Sequence, residues 1–370
     1  MPRSCAGASK QALARIQRLC CLGVGGEALM PELIREVTGL IPSRVGSFWW
    51  LGPSFEVTNI CSTFPQWFKE LWRREYQGTD RELEVYRPFS EQMTRPSPSD
   101  VQPLGEMLRV DRRAYLRSDW YNLLLRPVEV CDYLRLRVRG AGRVQGALFV
   151  YRNAGEARFT PGEAKTLEAV AGFVAHGLGR ATLAEEGFAE GEDRALFVAD
   201  PAGVVRHAEG PAQNLLMMAL NPRLSPAAGW RGLDRAIPEV AELCRRLSAT
   251  ARGQLGQPPP VLRLPSPWGE FVLRAYWLGP TDGAEQTRQV AVTIERRVPR
   301  AVALLRRVEG LPLTSREKQL CLLLARNPSG PDLADAMGLA ASTVVTHQRR
   351  IYAKLGVHSR AGLLGALQPA

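Results

Sequence analysis

Residues 313–364, LTSREKQLCLLLARNPSGPDLADAMGLAASTVVTHQRRIYAKLGVHSRAGLL, constrain the chain most, because helix start and stop signals punctuate them at short intervals. Thr314 followed three residues later by Glu317 forms a capping box, and Leu320, Leu323 and Leu324 then share the buried face of a helix running to Ala325. Ser329 with Asp332 repeats the device, with Pro331 in the first turn, and Gly338 stops the second helix after Met337. A third helix is expected over 342–355 and a short fourth after Ser359. Gly338-Leu339-Ala340 is the short glycine-containing joint of a helix-turn-helix.

The third helix divides by angle. At about 100° per residue, Val344, Gln348, Ile351 and Leu355 fall on one stripe that faces the first two helices. Ser342, Val345, Thr346, Arg349, Arg350 and Ala353 fall on the other. Short side chains with two arginines suit an element lying in the DNA major groove, where arginine grips guanine O6 and N7 with two hydrogen bonds. Charge agrees with this. The chain of 370 residues carries a net +11, and from Arg300 onward ten basic residues face four acidic ones. From Ala341 onward the charges are Arg349, Arg350, Lys354 and Arg360 with no acid, the electrostatic footprint expected for a polyanion partner. A merely solvated helix would tolerate glutamates on that face.

The stretch closely resembles the LuxR-type DNA-binding domain. Leu313, Thr314, Arg316, Glu317, Ala334, Thr343, Val344, His347, Ile351, Lys354, Leu355, Gly356, Val357 and Arg360 match its pattern without a gap. The resemblance implies a third helix in the major groove and a fourth that tends to dimerise the domain. By position it implies base contacts from Val345, Thr346 and Arg349, and phosphate contacts from Thr343, His347, Arg350 and Lys354. Three departures stand out. Val345 replaces a common lysine, Gly330-Pro331 replaces a polar and basic pair, and Ala340 replaces a serine cap, a role expected to pass to Ser342. They imply weaker nonspecific affinity and more reliance on pairing.

Upstream, helix is expected over 10–37, broken at 23–26, followed by two strands at 44–51 and 55–62 around Gly52-Pro53. A helix over 65–76, a loop at 95–103 and a helix over 104–117 lead to strands at 133–139 and 143–152. A helix over 161–183 opens on the capping box of Thr160 and Glu163. This order resembles a GAF domain across 11–183, which implies a dimerising module that permits a small-molecule ligand. Trp49, Trp50, Trp67, Trp72, Trp120 and Tyr121 are candidates for lining a pocket, although core packing is the commoner fate of each. After an acidic linker at 185–193, strands at 195–200 and 204–208 flank an Asp-x-x-Gly turn, with a helix at 211–220 and strands at 261–264, 270–278 and 288–296. The segments 257–260 and 279–283 separate these last strands. This resembles a PAS domain. No haem or flavin motif is present, and His207 beside the turn reads as a surface residue, so no cofactor is expected.

The expected architecture is therefore multidomain α+β. A GAF-like sensor and dimerisation domain (10–184) and a PAS-like domain (194–297), both antiparallel-sheet units, precede a connecting helix and linker (298–312). An all-α four-helix helix-turn-helix domain (313–367) completes it. Seven cysteines without CxxC or histidine at metal-ligand spacing read as reduced, mostly buried thiols, and no metal site is expected. No run approaches the roughly 20 apolar residues that span a bilayer, and no secretory signal is evident, so a soluble cytoplasmic protein is expected. G-x-S-x-G, HExxH, Walker A and GxGxxG are all absent and the histidines are dispersed, so an enzyme is not expected. The function expected is sequence-specific DNA binding by a homodimer on a two-fold site in double-stranded DNA, modulated by a small-molecule or conformational signal, with RNA polymerase as a further partner. The alternative class is a non-enzymatic signalling scaffold whose helix-turn-helix binds protein.

Overall fold

The computed structural model describes residues 3–77, 79–140, 142–179, 187–224, 233–254, 258–278, 289–325 and 330–367. Helices α1 (Arg3–Cys20) and α2 (Gly26–Leu40) precede an antiparallel sheet of order β2-β1-β5-β4-β3. Its strands are β1 (Val45–Leu51), β2 (Val57–Ser62), β3 (Val101–Pro103), β4 (Asp132–Gly140) and β5 (Arg143–Arg152). The period of two sends alternate residues of these strands to opposite faces, and both faces are covered. Phe48, Leu148 and Val150 pack with α1, α2 and the helical pair α8 (Pro161–Glu168) and α9 (Ala171–Gly177). Ala147, Phe149 and Tyr151 pack beneath the inserted segment. That segment holds α3 (Gln66–Glu75), α4 (Asp80–Val85), α5 (Phe89–Thr94), α6 (Leu104–Met107), α7 (Arg112–Tyr115) and one π-helical turn, Trp120–Leu125.

Several expectations are corrected here. The segment 95–103 is not wholly loop, because β3 pairs with β4. The reason is long-range. The buried Arg135 donates to Gln102 Oε1, and Arg137 to the carbonyls of Arg95 and Ser99. The helix expected over 104–117 is two single turns. That expected over 161–183 is broken at Ala169–Val170, and its end from 180 onward lies outside the described residues. Its capping box forms, with Glu163 N donating to Thr160 Oγ1 at 3.2 Å and Thr160 N to Glu163 Oε2 at 2.8 Å.

A second antiparallel sheet, β8-β7-β11-β10-β9, is built from β7 (Arg194–Ala199), β8 (Val205–Ala208), β9 (Val261–Ser266), β10 (Gly269–Leu278) and β11 (Gln289–Pro299). Asp200 accepts from the amides of Ala202 and Val204, and Gly203 completes the turn at φ +86, where a Cβ would lie 2.6 Å from the Ala241 nitrogen. Helix α10 (Gly210–Leu220) follows the turn as expected. Helix α11 (Pro238–Ala251), which was not expected, packs Val240, Leu243, Cys244 and Leu247 inward. The linker is also corrected, because β6 (Phe188–Ala189) pairs with Val298 and Pro299 at the end of β11.

The two sheet units are joined by buried charge. Arg296 on β11 is wholly buried and donates to the carbonyls of Trp268 (2.7 Å) and Ala28 (2.8 Å), and its guanidinium lies 3.0 Å from Asp193. Glu32 on α2 pairs with Arg296, Arg35 and Arg306. Arg306 belongs to α12 (Arg300–Glu309), so α2, β11 and α12 share one network. Beyond α12 lie α13 (Ser315–Ala325), α14 (Gly330–Met337), α15 (Ala341–Leu355) and α16 (Arg360–Leu367). Helices α1 and α12 pack on α13, and α12 also meets α16. Arg18 on α1 donates to Glu309 Oε1 (2.7 Å) and Ser315 Oγ (3.0 Å), while Lys318 reaches the same glutamate at 3.1 Å. Among the described residues no helix is long and apolar enough to cross a membrane.

Candidate nucleic-acid interface

Helix α13 starts as its sequence requires. Thr314 N donates to Glu317 Oε2 at 2.7 Å and Glu317 N to Thr314 Oγ1 at 3.4 Å. The second expected box includes Ser329, which lies outside the described residues. Gly338 (φ +59) and Gly356 (φ +64) take the left-handed conformation that frees the chain to turn at either end of α15.

Helix α15 starts at Ala341, with Ala340 in the cap position and no side-chain cap bond. Ser342 therefore does not take over the cap. It sits inside the first turn, where its carbonyl accepts from Thr346 Oγ1 at 2.9 Å. Val344 and Ile351 are buried against α13 and α14, and Gln348 and Leu355 are half-buried beside them. Ser342, Thr343, Val345, Thr346, Arg349, Arg350 and Ala353 are all exposed. Arg349 and Arg350 have no hydrogen bond or ion pair among the described residues. Val345, 45% exposed, is a large apolar side chain left open to solvent on a protein surface.

Two residues of the expected phosphate set are placed differently from Thr343 and Arg350. Lys354 Nζ lies 2.6 Å from Glu317 Oε2, so this ammonium is engaged inside the domain. Burial alone would raise the Glu317 carboxyl, but Lys354 and the amide and hydroxyl of Thr314 together hold it below the usual range. His347 is half-buried, with Nδ1 buried and lacking a hydrogen bond among the described residues, which leaves only the far edge of its ring for an outside partner. Arg360 donates to the Leu324 carbonyl at 2.6 Å and ties α16 to the end of α13.

The upstream aromatics separate. Trp49, Trp72 and Trp120 line a cavity under the inserted segment. Trp50 lies on the opposite face against Phe48 and Trp268. Trp67 is 44% exposed, and Tyr121 meets Tyr115 at a tilt of 52° with ring centroids 5.5 Å apart. His207 is exposed on β8. Cys20, Cys61, Cys244 and Cys321 are buried free thiols, and the described residues hold no cluster of metal-ligating side chains.

Residues 311–365 match the family of bacterial regulatory proteins of the luxR type. No curated protein matches the chain. Among solved structures, the phycoerythrobilin-bound GAF domain of a cyanobacterial phytochrome is similar at 10% identity over 48% of this chain and 97% of that one, with a TM-score of 0.31. The VqmA–ligand–DNA complex of Vibrio cholera is similar at 16% identity over 48% of this chain and 83% of that one, TM-score 0.20. A phage VqmA–DPO complex is similar at 19% identity over 48% and 81%, TM-score 0.19. The C-terminal helices α13–α16 are thus a luxR-family helix-turn-helix domain, set behind two antiparallel sheets.

Proposed function

We propose that a chain ending in a luxR-family domain of this kind is a sequence-specific transcription regulator that binds double-stranded DNA as a homodimer, under control of its upstream sheet units. One observation carries this: the outer face of α15 is exposed, acid-free and holds two arginines without partners among the described residues. In the groove, Arg349, Thr346 and Val345 face base edges, with Val345 suited to a thymine methyl. Thr343, Arg350 and the open edge of His347 face phosphates. Lys354 acts from behind, holding the C-terminal end of α15 to α13 through Glu317. A single helix offering so few base-facing side chains specifies little sequence. Two copies on half-sites one or more helical turns apart give the needed discrimination.

Control passes through the junction. The Glu32–Arg296–Arg306 network joins the first sheet unit to α12, and the Arg18–Glu309–Lys318 cluster joins α1 to α13. A signal that favours one arrangement of these contacts shifts the population of DNA-competent pairs. The test is binding of full-length protein to genomic fragments at two salt concentrations. Phosphate neutralisation makes affinity fall steeply with salt, whereas a protein-binding scaffold gives no such dependence.

A further inference from the structure

The first sheet and its inserted cover enclose a chamber of about 70 Å³ that DNA binding does not use. Its walls are aromatic. Ring centroids place Trp49 5.0 Å from Trp72 and 4.7 Å from Phe149, and Tyr86 and Trp120 meet edge to face at 4.9 Å. Trp120 opens the π-helical turn, an element found often at functional sites. The polar groups on the wall are donors, or hydroxyls able to donate, and no carboxylate among the described residues lines the chamber. The Tyr151 hydroxyl is engaged by Ser47, and Ser62 accepts from the Phe64 amide. By contrast, Trp120 Nε1 is buried without a partner among the described residues, while the buried Tyr86 hydroxyl lies beside those of Tyr115 and Tyr133. Lys69 of α3 completes the set. Its ammonium donates to Asn214 Oδ1 of α10 at 2.7 Å, and among the described residues no carboxylate acts on it.

A half-buried ammonium without a counter-ion among the described residues is costly, and the buried Trp120 Nε1 without an acceptor adds to the cost. Both are relieved by a guest that is flat, apolar and acceptor-rich with one negative charge. We propose that this chamber is a binding site for a small aromatic acid, its ring against the Trp49, Trp72 and Trp120 side chains and its carboxylate on Lys69. Size determines how the guest gets in. A cavity that takes a benzene ring measures about 150 Å³, so a wall must move. The sheet cannot yield without breaking its ladder. The wall that can belongs to the second unit: Leu224, whose amide donates to Asn59 Oδ1 at 2.7 Å, and the Lys69–Asn214 bond. Beyond that bond lies a cleft of about 480 Å³ lined by Asn214, and Ser62 borders both spaces. A guest enters from the cleft by parting Lys69 from Asn214, and its presence is felt at α10.

Benzoate, its neutral isostere benzamide, and benzylamine serve as probes on the full-length protein without DNA, so this site and the DNA-binding function can each fail alone. Titration calorimetry should give benzoate at least tenfold tighter than benzamide and no binding of benzylamine. Hydrogen exchange in α10 should change when benzoate is added. Lys69→Met should abolish the preference for the acid, and Trp120→Phe should weaken benzoate several-fold. Should Lys69→Met fail to fold, the comparison of acid with amide on the native protein decides alone. Equal affinity for benzoate and benzamide, binding of neither, or a preference that survives Lys69→Met would overturn the proposal.

Discussion

The ammonium of Lys354, in the last turn of α15, lies 2.6 Å from a carboxylate oxygen of Glu317, in the first turn of α13. The acid is buried, with its side chain 3% exposed, while the lysine side chain is 39% exposed, so the pair sits at the edge of the domain rather than in its core. It ties the C-terminal end of α15 to the start of α13.

Lys354→Met should therefore lower the stability of the C-terminal domain by about 1–2 kcal/mol, because Glu317 keeps its Thr314 bonds but loses its charged partner. The folded Glu317 pKa lies below its unfolded value. It stabilises the fold above the ordinary glutamate range, and that contribution disappears as pH falls through the lower folded pKa. The variant should lose its smaller contribution at higher pH than the native chain. Thermal unfolding followed by near-ultraviolet circular dichroism from about pH 7 to about pH 3 measures this, and superimposable curves would contradict it.

Arg349→Ala and Arg350→Ala should separate base from phosphate contact. The first should cost about 1–3 kcal/mol on the preferred site and relax base preference there. The second should weaken all sequences alike and reduce the slope of log affinity against log salt by about 1. Lys354→Met should lower affinity without changing that slope, since its ammonium is paired with Glu317. Fluorescence anisotropy on matched and mismatched duplexes distinguishes the three patterns.

Arg296 is wholly buried and engages α2, the 193 segment and the turn before β10 at once. Arg296→Met should destabilise the protein by about 3 kcal/mol or more, since it strips several buried polar groups of their donor. Calorimetry should show the sheet units melting in separate transitions. A single transition at the native temperature would contradict the role of this junction.

Burial pulls the Lys69 pKa down to about 8, and the titratable group facing it, the Cys61 thiol, is pushed by burial up to about 12 and stays neutral. A folded-state lysine pKa below the unfolded value penalises the fold while the group is charged. The contribution of Lys69 should therefore rise as pH increases from about 8 toward 10.5, where this group binds more protons in the unfolded chain, while the buried thiols of Cys20, Cys61, Cys244 and Cys321, whose pKa values burial raises, act the other way. Chemical denaturation of Lys69→Met beside the native protein tests this, and the native chain should gain stability relative to the variant across that window.

The helix-turn-helix was legible because its signals are local. A capping box, glycine stops and a 3.6-residue period place the inner and outer residues of α15 without reference to the rest of the chain. Helix α11 carries the same kind of signal, with Val240, Leu243, Cys244 and Leu247 at helical spacing behind Pro238. Other features had no local signal. Strand β3 exists because Arg135, far along the chain, fixes Gln102, and Val-Gln-Pro by itself does not read as a strand. Glu32 and Arg296 are separated by 264 positions and Glu317 and Lys354 by 37, so composition lists these charges without pairing them. The Lys69 chamber was hidden similarly. Tryptophans announce a possible pocket, but only the fold reveals that Trp50 faces away and that a lysine without a carboxylate completes the wall.

The most direct test of the central claim, that the outer face of α15 reads DNA, is selection of bound sites from random duplexes by the full-length protein, repeated with Arg349→Ala. The native chain should recover a two-fold site with two half-sites in register with the helical turn, and the variant should recover the same spacing with base preference lost at one position of each half-site. Recovery of an identical site by both proteins, or of no site by either, would contradict the account.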